Sequence, residues 1–577
     1  MSQTSLKGIF LERFQSIDEP VFIMLNDLTF LYGPNSAGKS CIVDALSLLK
    51  HLTLASIEWH KTEETAAKHG IGKNSRIGVE LRAADLTLGH ATSTASRRQR
   101  AIWNRHLEDG FDQSNFFKKI KNQKLQIEFC DKLSGLRVAV NSEPLFALRS
   151  NHVYFDDFGA RSVQSVYDDL DVFGEFTLFR NNRLAADLFH SIFNLAGVGA
   201  TAYTDHSICS SYKQIIDVSD DKIQIRGISF QIIDQYNGEL VGLDYGVEQH
   251  LFPGYRAKSF KSRGRPSKKQ REWMKLAHPD SYLYSAEQKK RSMLYWELKN
   301  ATKEIDNAVE GLIMLLSDAL DFSHIRGDRS LLKSAKPFYT KRSNYEAIDL
   351  LSPIVSEHSS ADIKWYADCL ASNAFSGFHE TTSLTSIDFP NHCFEHYLKS
   401  LNHYKIFSIQ VDLGTESKAH ERQYTSSAVY LKVRQNGNLE LDFEQVGSGL
   451  SFVFPILTSL WAADLTLVEQ PELHLHPKAQ CELGDVFIAA SHYGHKAVIE
   501  SHSEHLLLRV LRRLRESNSG KAISKELELD EERVAIYYFE PLGDGTTRVK
   551  RIRIDGHGEL LDPWPGGFFS EREGELF

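Results

Sequence analysis

The segment Gly33-Pro34-Asn35-Ser36-Ala37-Gly38-Lys39-Ser40 constrains this chain more than any other. It fits G-x-x-x-x-G-K-[ST], and its flanks fit as well. The apolar run Leu28 to Tyr32 ahead of it predicts a strand. Behind it, Ile42, Ala45, Leu46 and Leu49 recur at helical spacing. Strand, glycine loop and helix in that order make a cradle for phosphate. Gly33 and Gly38 let the backbone wrap an anion closely. The candidate contacts run through Pro34, Asn35, Ser36 and Ala37 to Cys41, where N–H groups at the helix start face the phosphates. Lys39 can neutralise β- and γ-phosphates, and the Ser40 hydroxyl can ligate Mg²⁺. A glycine turn before an ordinary helix accounts for less of the pattern. The expectation is a site for ATP with Mg²⁺.

A chain of 577 residues is too long for one core, so two to four structural units are expected. Hydrophobic residues at 42% and charged residues at 25% are ordinary for a globular protein. The net charge of −9 argues against adhesion to nucleic acid through overall charge, so any such contact needs a local basic surface. Cys41, Cys130, Cys209, Cys369, Cys393 and Cys481 lie far apart with no C-x-x-C pair. That argues against a zinc cluster or disulfide framework and suits a reducing cytoplasm. Lys7, Glu12 and Arg13 interrupt the apolar residues near the start, which predicts no signal peptide. The nearest approach to a membrane span, Leu450 to Val468, contains Pro455 and Asp464. It reads as a buried helix followed by a buried strand, and no membrane contact is expected.

Four regions follow from the patterning. Residues 1–140 read as strands around the phosphate loop, with Gly78 to Arg82 and Leu125 to Phe129 alternating and a hairpin turning at Ser134-Gly135. Residues 141–425 read as a mainly helical insertion, with Ala286 to Leu320 as one helical stretch and no sustained heptads. Residues 426–515 open with a hairpin signal at Asn436-Gly437. They continue through a glycine-rich turn, an apolar helix and the strands Leu465 to Val468 and Ala497 to Ile499. Residues 516–577 predict a small β-containing module around Gly543-Asp544-Gly545.

A phosphate loop needs a second acidic group for Mg²⁺, at the end of a buried strand. Glu469 stands there, far along the chain from Lys39, so the core is split by the insertion. Gln470-Pro471-Glu472-Leu473-His474-Leu475-His476-Pro477 follows at once, and Glu500-Ser501-His502-Ser503 ends the next strand. Upstream lies Val446-Gly447-Ser448-Gly449-Leu450-Ser451. In this order and spacing the chain resembles the ABC/SMC/Rad50-type ATPases, most closely the overcoming-lysogenization-defect (OLD) and AAA_15/AAA_21 group, with a DUF3696-like tail.

The resemblance implies roles. Gly33, Gly38, Lys39 and Ser40 form Walker A, and Glu469 takes the Walker B magnesium position. Gly447, Ser448 and Gly449 form the signature turn, which contacts the nucleotide of another protomer. Glu472 to His476 form the D-loop region at a dimer interface, and His502 is the switch histidine that senses γ-phosphate. Spacing alone leaves a metal site at His474 and His476 as an alternative to interface residues. Gln470 departs from the family, which usually has a water-activating glutamate there. An amide is no general base, although glutamine can orient water, so slow hydrolysis and a long-lived ATP-bound dimer are expected. Glu472 is a substitute candidate base.

Within the insertion, Arg256 to Arg271 is the densest basic run, and Arg263-Gly264-Arg265-Pro266 resembles an AT-hook core. It reads first as a solvated basic loop. Its alternative is a nucleic-acid or acidic-partner contact through Arg263, Arg265, Lys268 and Lys269. Pro279-Asp280 with Glu297-Leu298-Lys299 fits a loose nuclease pattern, but Glu297 to Lys299 falls within the helical stretch Ala286 to Leu320 and so reads as helix. After His502 no convincing acidic cluster appears on strand ends, so the Toprim nuclease of OLD-type proteins is expected to be missing.

The expected fold is therefore α/β. It is a split ABC-type P-loop ATPase head with a large helical insertion and a small C-terminal module. The resemblance implies a homodimer or higher homo-oligomer through the heads. It also implies an effector partner such as an HNH nuclease, as in Septu-like and retron-associated anti-phage systems. A self-contained metal-dependent nuclease and a non-hydrolysing ATP-bound scaffold are the alternatives.

Overall fold

Alternating apolar and polar residues give strands with one buried face, and continuous apolar runs give strands buried on both. Both kinds occur, and they sort into different sheets. The computed structural model describes residues 5–54, 68–82 except 73, 118–150 except 134, 171–201, 216–233 and 240–245. It further describes most of 300–327, the strands within 338–442, scattered positions from 445 to 460, and residues 464–565. The chain divides into two compact units, residues 1–23, 45–92 and 98–320, and residues 24–44, 93–97 and 321–577.

The first unit is built on a ten-stranded sheet. Its strands are β1 (Ser5–Glu12), β2 (Val21–Met24), β4 (Arg76–Arg82), β5 (Lys124–Cys130), β6 (Gly135–Val140), β7 (Glu143–Ser150) and β8 (Asp171–Phe179). Three more are β9 (Ile216–Val218), β10 (Lys222–Ile233) and β11 (Leu240–Tyr245). The order is β11-β10-β8-β7-β6-β5-β4-β1-β2, with β9 on β10, and neighbours from β1–β4 to β10–β11 run antiparallel. Ile77, Val79 and Leu81 of β4 and Leu125 and Ile127 of β5 are buried at alternate positions. β5 and β6 pair from Leu125–Val140 to Cys130–Gly135, the hairpin expected from the sequence.

The sheet does not stop at residue 140. Asn141 and Ser142 both have positive φ, and Val140 pairs with Glu143 across them, so β6 passes directly into β7. Two left-handed residues suit the right-handed twist of a hairpin, but Asn-Ser signals such a turn less strongly than Asn-Gly. Helices α2 (Arg183–Leu188) and α3 (His190–Thr201) follow β8, and the described residues of 300–320 are largely helical. Between 141 and 425 the described residues thus hold strands as well as helices. The rings of Phe146, Phe176 and Phe189 meet pairwise at 5.4–5.7 Å in this unit's core.

The second unit holds a six-stranded sheet in the order β12-β18-β19-β3-β20-β21. Its members are β3 (Leu28–Tyr32), β12 (Phe322–Ile325), β18 (Leu465–Glu469), β19 (Lys496–Glu500), β20 (Val534–Pro541) and β21 (Thr547–Ile552). All pairs are parallel except β20–β21. Every residue of β3, and all but one end residue of β18 and β19, is buried, as parallel strands covered on both faces require. Helix α1 (Ser40–Leu54) starts in this unit. Helix α4 (Pro477–His492) opens with proline at its first turn, and α5 (Glu504–Asn518) is capped by Ser503, whose hydroxyl accepts from Leu506 N–H. Phe30, Tyr32, Val453, Ile456, Phe487, Leu506 and Tyr538 belong to one core cluster.

Within the apolar stretch 450–468 the described residues up to Leu460 are helical and buried, and β18 follows, as expected. No helix among the described residues is long and apolar enough to cross a membrane. A further sheet of this unit joins β13 (Phe338–Lys341), β14 (Thr385–Ser386), β15 (Tyr404–Glu416), β16 (Tyr424–Gln435) and β17 (Leu439–Asp442). Gln435 pairs with Leu439, flanking the expected turn at Asn436-Gly437, whose residues lie outside the described ones. The tail strands β20 and β21 do not form a sheet of their own. β20 lies beside β3, so the tail completes the sheet that carries the phosphate loop.

Candidate functional site

In a parallel α/β sheet, ligands bind beyond the carboxyl ends of the strands. Here β18, β19 and β3 are consecutive neighbours, and Glu469 pairs with Glu500, which pairs with Leu31. The segments that follow them therefore meet at one edge. Three stretches far apart in sequence, around residues 33–40, 469–476 and 500–503, become one neighbourhood.

The loop after β3 is shaped by its glycines. Gly33 has φ +149°, and a Cβ there would stand 2.5 Å from the Phe539 carbonyl oxygen of β20. Gly38 also has positive φ, at 83°. Pro34 O accepts from Ala37 N–H, and Gly38 O accepts from Cys41 N–H as α1 begins. From the tail, the Thr547 hydroxyl donates to Ala37 O at 3.0 Å. Ser36 has positive φ as well.

Lys39 is 3% exposed, and its ammonium donates to Gly33 O at 3.1 Å and Pro34 O at 2.8 Å. Glu500 Oε1 stands 3.8 Å away, and Ser40 Oγ donates to Glu500 Oε2 at 3.2 Å. Burial pushes the Lys39 pKa down, and the charges of Glu500 and Glu472 only partly oppose it. Burial pushes Glu500 up, with Glu469 and Glu472 adding to that and Lys39 and Ser40 opposing. Desolvation thus outweighs mutual attraction on both sides of this loose pair. A phosphate oxygen would be a stronger partner for Lys39 than two carbonyls.

On the next strand, Glu469 turns its carboxylate toward β12. His324 Nε2 donates to Oε1 at 2.7 Å, and Gly327 N–H donates to Oε2 at 3.0 Å. Burial pushes the Glu469 pKa up, but these bonds and the charges of His324 and Arg326 hold it below the ordinary carboxylate range. Gln470 and His474 both have positive φ, so the chain turns sharply just after β18. Gln470 N–H donates to Glu500 O at 2.7 Å. Glu472 accepts from the Ser501 hydroxyl at 2.8 Å and from His502 N–H at 2.7 Å, which ties this loop to the one after β19. Burial, then the charge on Lys39, lowers the His502 pKa, favouring a neutral imidazole with one N–H to donate.

The two histidines of the 472–476 stretch have separate tasks. The His474 ring packs on Phe452 at 4.4 Å between centroids, and His476 Nδ1 accepts from Lys478 N–H as the cap of α4. Gly449 of the glycine-rich turn lies beside this loop, 3.3 Å from His474 O to the place of its absent Cβ. Gly447 and Ser448 lie outside the described residues, as do Arg263, Arg265, Lys268, Lys269, Asp280, Glu297 and Lys299.

The donors fit Mg²⁺, which takes hard oxygens, usually one or two carboxylates together with substrate phosphates. Ser40 and the two strand-end acids offer such oxygens. Among the described residues no group of three His, Cys, Asp or Glu could hold an ion without that help. Sequence reasoning gave Glu500 no role, although an acid ending a buried strand was the available signal. It missed His324 and Gly327 altogether, because nothing in their local pattern sets them apart from an ordinary short strand and turn.

A phosphate loop between β3 and α1, with acids ending the neighbouring parallel strands, defines an α/β P-loop ATPase. Residues 321–509 match the family described as AAA domain, putative AbiEii toxin, Type IV TA system (AAA_21). Residues 529–577 match DUF3696, a family of unknown function, so an AAA_21-like segment is followed by a DUF3696-like one. The phosphate loop itself precedes both matched segments and joins them in space, because β3 lies between β19 and β20. No curated protein matches the chain.

Similar solved structures include the SMC head domain from Thermotoga maritima, at 8% identity and TM-score 0.29, covering 95% of this chain and all of that one. The Smc head domain with an extended coiled coil, bound to the C-terminal domain of ScpA, from Pyrococcus furiosus shares 11% identity at TM-score 0.31. That match covers 95% of this chain and 96% of the other. The Smc head with a coiled coil and joint from Pyrococcus yayanosii gives the same identity and TM-score, covering 95% and 97%.

Proposed function

We propose that this chain is an ABC-type ATPase that dimerises around ATP and Mg²⁺ and uses nucleotide occupancy to control a separate effector, such as an HNH nuclease. The setting we propose is prokaryotic anti-phage defence or DNA maintenance. The observation that carries the reading is the meeting of Lys39 and Ser40 with Glu500, one strand from Glu469, at the carboxyl ends of parallel strands.

In this mechanism the loop from Gly33 to Cys41 wraps the triphosphate. Lys39 leaves its two carbonyl partners for the β- and γ-phosphates. Mg²⁺, when bound, neutralises charge on the phosphate oxygens beside Ser40 and the strand-end acids. Gln470 orients water through its amide without accepting a proton, which keeps hydrolysis slow. His502 donates to the γ-phosphate. The turn at Gly447, Ser448 and Gly449 reaches the nucleotide of a second protomer, so that ATP holds two copies together. A shape change in that dimer is what an effector would read.

The test is light scattering of the purified chain with ATP–Mg²⁺ and with ADP, beside a phosphate-release assay. Dimers with ATP, monomers with ADP and turnover below about 10 s⁻¹, the enzyme median, are expected. No nucleotide binding, or one assembly state with both nucleotides, would remove the proposal. A nuclease encoded beside this chain that binds it only with ATP would support the effector role.

A further inference from the structure

The proposed nucleotide site leaves open which acid meets the metal, and the inference here rests on that site. We infer that Glu500 shares the Mg²⁺ of bound nucleotide with Ser40 more directly than Glu469 does, whose carboxylate is directed by β12 and the turn after it.

The geometry around Ser40 carries the first half. Glu500 Oε2 lies 3.2 Å from Ser40 Oγ. Two oxygens on adjacent corners of an octahedron with bonds of ~2.0–2.1 Å stand ~3 Å apart, so these atoms already span one edge of a magnesium shell. The backbone on both sides of the Glu500 side chain is fixed. Its carbonyl accepts from Gln470 N–H, and Ser501 N–H donates to Leu31 O at 3.2 Å. Only 7% of the residue is exposed, so the carboxylate has little freedom to swing away.

The partners of Glu469 carry the second half. Each of its oxygens accepts a hydrogen bond from β12 or the turn after it, one from His324 Nε2 and one from Gly327 N–H. Each of these oxygens keeps a lone pair that a cation could use, but the two bonds fix the direction of the carboxylate from the β12 side. Glu500 would give up only a serine hydroxyl, which is itself a ligand of the same ion, and a 3.8 Å contact with Lys39. Glu469 thus comes second to Glu500 at this ion, and its bonds to His324 and Gly327 hold β18 to the turn after β12.

A metal-facing carboxylate has a signature that a structural one lacks. It attracts metal-loaded triphosphate and repels the metal-free form. The experiment titrates a fluorescent ATP analogue into the full chain with Mn²⁺ and separately in EDTA, and measures Mn²⁺ affinity of the nucleotide complex by paramagnetic resonance. The variants are Glu500→Gln, Glu500→Asp and Glu469→Gln, with melting curves confirming folding.

In Glu500→Gln, Mn²⁺ affinity should fall by about tenfold or more, at least the loss seen for an outer-shell partner. Nucleotide affinity in EDTA should hold or rise. Glu500→Asp should restore part of the Mn²⁺ affinity, and Glu469→Gln should lower it less than Glu500→Gln does. Wild-type Mn²⁺ affinity in Glu500→Gln, or a greater loss in Glu469→Gln, overturns the inference while leaving the nucleotide site intact. A wild-type chain that binds no nucleotide in either condition overturns the proposed function, and this inference with it.

Discussion

The two large sheets bury their apolar residues by different rules, and only one of them brings distant segments to a common edge. In the ten-stranded sheet β4 to β8 follow one another in the chain and in space, so each strand pairs with what precedes it. In the six-stranded sheet β3 sits between β19 and β20, its neighbours coming from the far end of the sequence. Local pairing makes a scaffold whose residues are adjacent because the chain is short between them. Non-local pairing makes a site. Lys39 and Glu500 can form an ion pair only because two parallel strands adjoin.

If the contrast holds, damage to the first sheet should appear as lost stability, and damage at the strand ends of the second as lost chemistry. The largest effect expected on stability is from Phe146→Ala. It removes one ring of a fully packed trio and should cost about 3–5 kcal/mol in denaturant unfolding. The nucleotide affinity of the folded fraction should be unchanged.

Next is Lys39→Ala, which deletes charge-assisted bonds to phosphate worth about 1.5–3 kcal/mol each. Two of them, about 3–6 kcal/mol together, correspond to ATP binding weaker by about 10²–10⁴-fold, read by calorimetry. A variant that binds ATP as the wild type does would break the contrast. Gln470→Glu supplies a base where the wild type has an amide. Phosphate release should rise by about tenfold, short of the ~10²–10⁴ of a full general base because glutamine already orients water.

The smallest effect is in the tail. Arg553 holds the Asp562 carboxyl down to about 2, below its ordinary value near ~3.9. A carboxyl depressed in the folded state adds stability above its ordinary pKa and loses it as pH falls toward the folded value. Asp562→Asn should therefore melt slightly below the wild type at neutral pH, with the gap closing between about pH 4 and pH 2. The pair is exposed, so the gap should be narrow.

The phosphate loop was readable because its chemistry is local. Glycine, lysine and serine sit at fixed spacing, and the strand and helix around them carry their own periodicities. The strands β18, β19 and β20 were readable for the same reason. What sequence could not supply was adjacency between segments. Glu469 and Glu500 each look like an acid closing a buried strand, and only the register between β18 and β19, with β12 on the far side, shows that His324 and Gly327 occupy one of them. The boundary at residue 140 was misleading for a local reason, since Asn141-Ser142 turns the chain without the glycine that usually announces such a turn. The tail looked like an appendage because its strands alternate and end in a glycine turn, as a small module's would. Its pairing with β3 is non-local and left no mark on the sequence.

That pairing has a practical side. A bench scientist trimming this protein to a minimal ATP-binding fragment would be tempted to cut near residue 530, beyond the last recognisable motif. The cut would strip the neighbour that lies along β3, uncover Phe30 and Tyr32, and unhook Thr547 from Ala37. Such a fragment should precipitate rather than bind, and a protease that nicks the same stretch would silence the enzyme without touching a single residue that meets phosphate.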